Sequence, residues 1–115
     1  MSNQSINQLA FNIIYKHSLN KEKSYNDFGC AYRGVNNTRC FVGALIKDEH
    51  YNPLLEDKCA GAYAVQEAVK LSLKGLPNIQ LLVEAQEIHD RFKPEDWDKE
   101  LEQLAKEYSL TVPTI

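Results

Sequence analysis

Helix-breaking residues divide the second half of the chain into three segments. Gly75 is followed by Pro77, and Pro94 and Pro113 interrupt the later sequence. Proline lacks an amide proton and clashes with the preceding turn, so a helix ends close to it. Apolar residues recur at helical spacing in each segment between these breaks. The second half therefore predicts three short helices.

Each predicted helix has a recognisable cap or apolar face. The first lies near residues 60–74 with Gly75 as its C-cap, and Asn78 caps the second, which ends before Pro94. The third carries a narrow apolar seam formed by Trp97, Leu101, Leu104 and Tyr108. A further amphipathic helix is predicted near the start of the chain and ends at about His17.

Residues 30–46 favour a different structure, because they are rich in aromatic and β-branched side chains. Asn36 and Asn37 tolerate positive φ, which predicts a hairpin turn at this pair. A two-residue turn would place Tyr32 opposite Phe41 and Cys40 opposite Arg33. The preceding residues 21–28 are polar and aperiodic, and they predict a connecting loop.

The expected fold class is therefore α+β, with a small β-hairpin over about residues 30–46 packed against four or five α-helices. A length of 115 residues and an apolar fraction of 43% are typical of one globular domain, covering residues 1–115. We find no apolar run long enough to span a membrane and no secretory signal pattern. These features predict a cytoplasmic, monomeric protein that does not bind membranes.

The cysteines, histidines and glycines show no cofactor or metal motif. Three cysteines make an odd set without C-x-x-C spacing, and the histidines lack ligand spacing. The five glycines form no nucleotide-binding loop. We therefore expect reduced thiols, no metal and no cofactor.

One combination of residues could support thiol chemistry. Cys30 or Cys40 would need His89 as a base and Asp90 to orient the imidazole ring. Asp90 directly follows His89, and neighbouring helical residues are expected to point to different faces. The sequence therefore predicts that the protein is not an enzyme.

Acidic residues are concentrated in residues 84–107, which contain nine acids and four bases, whereas the whole chain has a formal charge of −3. Such a segment repels nucleic acid and attracts basic protein surfaces. Five carboxylates near the Pro94 turn are the predicted partner-binding residues: Glu87, Asp90, Glu95, Asp96 and Asp98. The alternative is an ordinary solvated helix face.

Arg33 and Arg39 form a secondary candidate site beside the predicted turn. Their guanidinium groups could bind a phosphate or a partner carboxylate. The favoured alternative is structural, with an arginine paired to Asp27 or Asp48 so that the hairpin is fixed to its flanking loops.

Several positions together resemble a family of small uncharacterised bacterial and phage-associated proteins. The resemblance is carried by Cys30-x-Tyr-Arg-Gly34, by Arg39-Cys-x-Val-Gly-x-Leu-Ile-x-Asp-x-x-Tyr51, and by Leu82, Ile88-His-Asp90 and Trp97. Some related proteins look like immunity partners of contact-dependent growth inhibition toxins. Two departures are Lys47, where the family typically has proline, and Asn36-Asn37, where it usually has a glycine-containing turn.

This resemblance and the acidic segment together predict an immunity protein that neutralises a cognate toxin, such as a basic nuclease. A second interpretation is a phage or mobile-element accessory protein that binds a host regulator. A third is a thiol or carboxylate enzyme.

Overall fold

The computed structural model describes residues 3–27 and 29–114. Within them lie four α-helices: α1 (Asn3–Ser18), α2 (Tyr63–Leu73), α3 (Ile79–Arg91) and α4 (Trp97–Glu107). A two-stranded antiparallel hairpin pairs β1 (Tyr25–Asn26) with β2 (Gly29–Cys30). The expected α+β class and small hairpin are confirmed, and the helix count agrees with the lower expected number.

The hairpin does not lie where the sequence pattern predicted it. The strands fall in and just after the residues predicted as a loop, and Phe28 between them lies outside the described residues. In the predicted hairpin, the described backbone pairing is a single antiparallel bridge from Arg33 to Arg39. The predicted register, with Tyr32 opposite Phe41 and Cys40 opposite Arg33, is therefore wrong.

In this segment, several backbone amides donate hydrogen bonds to side chains and not to a neighbouring strand. The Glu56 carboxylate accepts hydrogen bonds from the amides of Tyr32 at 2.9 Å and Arg33 at 3.0 Å. The Val42 amide donates to the Gln86 side chain at 3.1 Å. Because these amides already have acceptors, no strand ladder is needed to pair them.

Residues 35–45 turn instead of continuing as strands. Asn36 and Asn37 have φ values of 57° and 62°, which confirms the predicted turn position. Gly43–Leu45 forms a 3-10 turn, and a side chain at Gly43 would overlap the carbonyl of Tyr32. This close backbone approach requires glycine.

The helix boundaries follow the breaks in the sequence. Asn78 caps α3, since its side-chain oxygen accepts from the amides of Gln80 and Leu81 at 2.8 and 3.2 Å. The left-handed residue after α2 is Lys74, with φ of 61°, and not the predicted Gly75. Trp97, Leu101 and Leu104 are buried as the seam predicts.

An aromatic cluster forms the centre of the core. Phe41 packs edge-on against Trp97, with ring centroids 4.8 Å apart, and against His89 at 5.2 Å. His89 and Trp97 stack at 5.3 Å. These three side chains join the irregular segment to α3 and α4. Helix α3 is therefore held between Phe41 of that segment and Trp97 of α4.

Helix α1 packs against α4 and is bonded to the C-terminal segment. Gln4 donates to the carbonyls of Tyr108 and Ser109 at 3.2 and 2.9 Å. Gln8 and Thr111 exchange two hydrogen bonds, of 2.8 and 2.9 Å. These bonds close a large loop between distant parts of the chain.

Glu56→Ala should destabilise the fold strongly, because it removes the acceptor for two backbone amides and for the Tyr51 hydroxyl. We expect a loss of about 3 kcal/mol in the free energy of unfolding, since hydrogen bonds to charged groups contribute about 1.5–3 kcal/mol each. Urea denaturation measures this loss. The exposed Glu49→Ala is the matched control, and equal stability of the two variants would refute the role of Glu56.

Candidate functional site

Helix α3 borders two surface depressions. Its buried side carries Leu81, Leu82, Ala85, Ile88 and His89. One edge of the helix lines a groove shared with α4, and the other edge lines a cavity beside Cys30. Glu87 lies between the two edges and lines both depressions. The helix is therefore the common wall of the candidate site.

The groove between α3 and α4 has a volume of about 320 Å³. Four glutamates and one arginine surround an apolar floor, and the lining residues are Glu84, Glu87, Ile88, Arg91, Phe92, Glu100, Gln103, Leu104 and Glu107. The Tyr108 hydroxyl donates a hydrogen bond to the Glu84 carboxylate. The pKa of Tyr108 is raised mainly by burial and secondly by this hydrogen bond. Within the described residues, the carboxylates of Glu87, Glu100 and Glu107 have neither a hydrogen bond nor a salt bridge. Three carboxylates in the groove are thus available to a ligand.

The cavity on the other edge of α3 has a volume of about 250 Å³. All three cysteines of the chain contribute to its wall, although they are far apart in sequence. Cys30 and Cys59 are exposed, whereas Cys40 is buried, and all are unpaired thiols. The remaining lining residues are Ala31, Tyr32, Glu56, Lys58, Ala60, Val83, Gln86, Glu87 and Asp90.

Cys30, His89 and Asp90 come together at the wall of this cavity. Their potential ligand atoms lie within 4.8 Å of one another. His89 is fully buried, and its Nδ1 lies 2.8 Å from the Asp90 carboxylate. The expectation that Asp90 points away from His89 is wrong, because the Asp90 side chain folds back to its neighbour at the boundary between the buried and exposed faces of α3.

The hydrogen bonds of His89 leave no nitrogen for the thiol. Nε2 accepts a hydrogen bond from the backbone amide of Ser24 at 3.2 Å, so the ring proton of neutral His89 is on Nδ1 and is donated to Asp90. A base that activates Cys30 needs a free lone pair directed at the sulfur. The imidazole therefore bridges Ser24 and Asp90, and it is not positioned to accept the Cys30 proton.

The electrostatic environment keeps the Cys30 thiol protonated. The pKa of Cys30 is raised to about 11, mainly by burial and secondly by a hydrogen bond to Asp90. Burial also raises the pKa of Cys40 to about 12. For Asp90, burial alone would raise the pKa, but hydrogen bonds with His89, Cys30 and Gln86 outweigh it and lower the pKa.

The same hydrogen bonds make the group a poor metal site. A metal-bound neutral imidazole keeps its proton on the second nitrogen, which usually donates to an acceptor. Here Nε2 faces the Ser24 amide, itself a donor. Coordination through Nδ1 would therefore require either an imidazolate or loss of the Ser24 contact.

The five predicted partner-binding acids occupy different environments. Glu87 lines both depressions, and Asp90 lines the cavity. Glu95 and Asp96 are exposed in a 3-10 turn over Pro94–Asp96, and Asp98 pairs with Lys21 at 2.8 Å. The structure thus brings Glu87 and Asp90 to the cavity, whereas Glu95 and Asp96 lie in the turn before α4 and Asp98 lies in the first turn of that helix.

The other acids of the groove, Glu84, Glu100 and Glu107, were not among the predicted partner-binding residues. Glu100 and Glu107 lie on α4, with Gln103 between them at intervals of three and four residues. This spacing indicates one helix face. On α3, Glu84 and Glu87 also share one helix face. The sequence does not show that this face of α3 lies opposite the acidic face of α4.

Arg33 and Arg39 both make the pairing with Asp48 that was one of the two predicted for them. Both guanidinium groups pair with the same Asp48 oxygen, at 2.8 and 3.1 Å. Arg33 also donates to the carbonyl of Ile46 and lies over the Tyr51 ring, 4.3 Å from its centroid. The arginines therefore fix the turn to the segment that follows it.

Comparisons with known proteins give no relative. No protein-family model matches the chain, and searches of curated proteins and of solved structures gave no significant match. None of the helices in the described residues has the length and apolar character needed to cross a bilayer.

The Cys30 thiol should react slowly at pH 8 although it is exposed. A pKa of about 11 leaves a thiolate fraction on the order of one thousandth. Iodoacetamide labelling of the Cys59→Ser protein, followed by mass spectrometry of the Cys30 peptide, measures the rate. Asp90→Asn should accelerate labelling, and Glu87→Gln is the control for loss of one cavity charge. Labelling at the rate of an ordinary free thiol would contradict the assignment.

The contribution of Asp90 to stability should disappear in acid. Because its folded pKa is below the ordinary 3.8, the stabilisation is present above that value and is lost as the pH falls through the folded pKa. We expect Asp90→Asn to be about 1 kcal/mol less stable than the unmodified chain at pH 6. The difference should shrink below about pH 4.

Urea denaturation at pH 6 and pH 2.5 measures this change in stability. Asp96→Asn, which removes an exposed carboxylate, is the control for the loss of one negative charge. A stability difference for Asp90→Asn that stays constant between the two pH values would contradict the assignment.

Proposed function

We propose that this chain is a cytoplasmic immunity protein that neutralises a basic toxin domain through the groove between α3 and α4. The observation that supports the proposal most is the set of three carboxylates around an apolar floor that have no partner in the described part of the chain, Glu87, Glu100 and Glu107. A basic protein segment with alternating cationic and apolar residues complements such a groove. The motif over residues 30–51 resembles small uncharacterised bacterial proteins, some of whose relatives look like immunity partners, and this resemblance suggests the toxin-neutralising role.

The groove combines the two components of a specific protein interface. Phe92, which is 37% exposed, provides the accessible apolar surface, and the buried Ile88 and Leu104 lie beneath it in the lining. Burial of such surface contributes affinity, whereas the surrounding charges mainly provide orientation and fast association. Among the described residues that line the groove, Arg91 is the single basic one, against four glutamates, and the groove is strongly acidic.

A nuclease is the toxin class that best fits this charge. Its substrate-binding surface must be cationic, because it binds a phosphate backbone. Carboxylates on a rigid helix pair can occupy that surface and exclude the nucleic acid. Glu95 and Asp96 lie exposed beyond the groove, where they would add to the field that attracts the toxin.

The partner can be identified by crosslinking in native cells. A photoreactive amino acid replaces Gln103 in the groove, and the control carries it at the exposed Lys70 on α2. A protein captured at Gln103 and not at Lys70 is then expressed alone to measure growth arrest. Relief of that arrest by coexpression of this chain is the expected result, and absence of toxicity or of relief would overturn the immunity function.

Two charge-reversal variants then distinguish the two acidic surfaces. Substitution of Glu87, Glu100 and Glu107 by lysine should abolish the relief of growth arrest. It should also lower the rate of association with the toxin by at least about tenfold at low salt. Lysine at Glu95, Asp96 and Asp98 should lower the rate by less. If only the second variant fails, the toxin binds at the Pro94 turn and the groove is a solvated surface. Far-UV circular dichroism confirms that both variants fold.

A further inference from the structure

We infer that the cavity lined by Cys30, Cys59 and Val83 is an anchor pocket for one long cationic side chain, arginine or lysine, of the protein that occupies the groove. The inference rests on the proposed function, because it names how that partner is held. It concerns a different depression from the groove, on the opposite edge of α3.

The cavity walls suit the hydrocarbon part of such a side chain. Ala31, Cys40 and Ala60 are buried, and Val83 is half-buried. Thiols that stay protonated behave as small apolar groups, and the pKa of Cys40 is raised to about 12. An arginine or lysine stem can therefore be desolvated there while its charged end stays near water.

The charges around the cavity favour a cation. Glu56, Glu87 and Asp90 contribute three carboxylates, whereas Lys58 is the single basic residue that the structure describes in the lining. Glu56 is occupied by two backbone amides and Tyr51, and Asp90 by His89 and Gln86. Glu87 has no hydrogen bond or salt bridge among the described residues. It is the acceptor that an incoming cation can use.

Glu87 also connects the cavity to the groove, since its side chain lines both. A segment that crosses α3 at this position can place one residue in the cavity and its neighbours in the groove. Protein interfaces commonly concentrate their binding energy in such a buried anchor, and arginine is among the residues enriched there. Specificity for the partner would then depend on the residue that enters the cavity.

The pocket can be tested without the partner. N-acetylarginine amide is titrated into the labelled protein, and amide chemical shifts are followed by nuclear magnetic resonance. We expect saturable shifts at Ala31, Ala60 and Val83. N-acetyllysine amide should give the same pattern, whereas the neutral isostere N-acetylcitrulline amide should bind at least about fivefold more weakly, because it cannot pair with Glu87.

Two variants with one carboxylate removed complete the test. Glu87→Gln should weaken binding of N-acetylarginine amide about fivefold, and Glu49→Gln, at an exposed site outside both depressions, should leave it unchanged. Absence of saturable shifts at the cavity, or equal binding of the citrulline compound, would overturn the anchor pocket. Because no toxin is needed, this result is independent of growth rescue, and either proposal can fail alone.

Discussion

Backbone amides of an irregular segment are held by side chains from elsewhere in the fold, and the rest of the structure depends on this arrangement. Glu56 accepts from Tyr32 and Arg33, Gln86 from Val42, and Ser72 from the amide of Lys47. A buried amide without an acceptor is costly, so these bonds replace a sheet. They also join residues 32–47 to α2 and α3, and the aromatic cluster around Phe41 then packs against a fixed framework. The position of α3 that results determines the shape of the groove and of the cavity.

The helical half could be predicted from the sequence because its signals are local. Asn78 caps the helix that follows it, and the seam beginning at Trp97 is buried as its spacing requires. The position and register predicted for the hairpin were wrong because alternation of apolar residues indicates burial and not the hydrogen-bond partner. Tyr32 and Phe41 are indeed buried. Their segments simply find acceptors that are separated from them in sequence, which no local pattern shows.

The candidate site was predictable in charge but not in geometry. An excess of acids in residues 84–107 is evident from the sequence. Only the structure shows which of these carboxylates are already bonded to other residues and which are not. Asp98 is paired with Lys21, and Asp90 supports a buried histidine, whereas Glu87 makes no hydrogen bond or salt bridge to any residue that the structure describes. Likewise, three cysteines without a motif converge on one cavity because the segments that carry them pack around α3.

The bonds between α1 and the C-terminal segment have a consequence for protein synthesis. Gln4 and Gln8 are translated more than 100 residues before their partners at residues 108–111. Until then α1 has an apolar face without its α4 neighbour, and a single helix of this length is marginal in water. The domain must therefore complete its folding after α4 has left the exit tunnel. Ribosome stalling upstream of α4 would yield a nascent chain that chaperones and proteases recognise as unfinished.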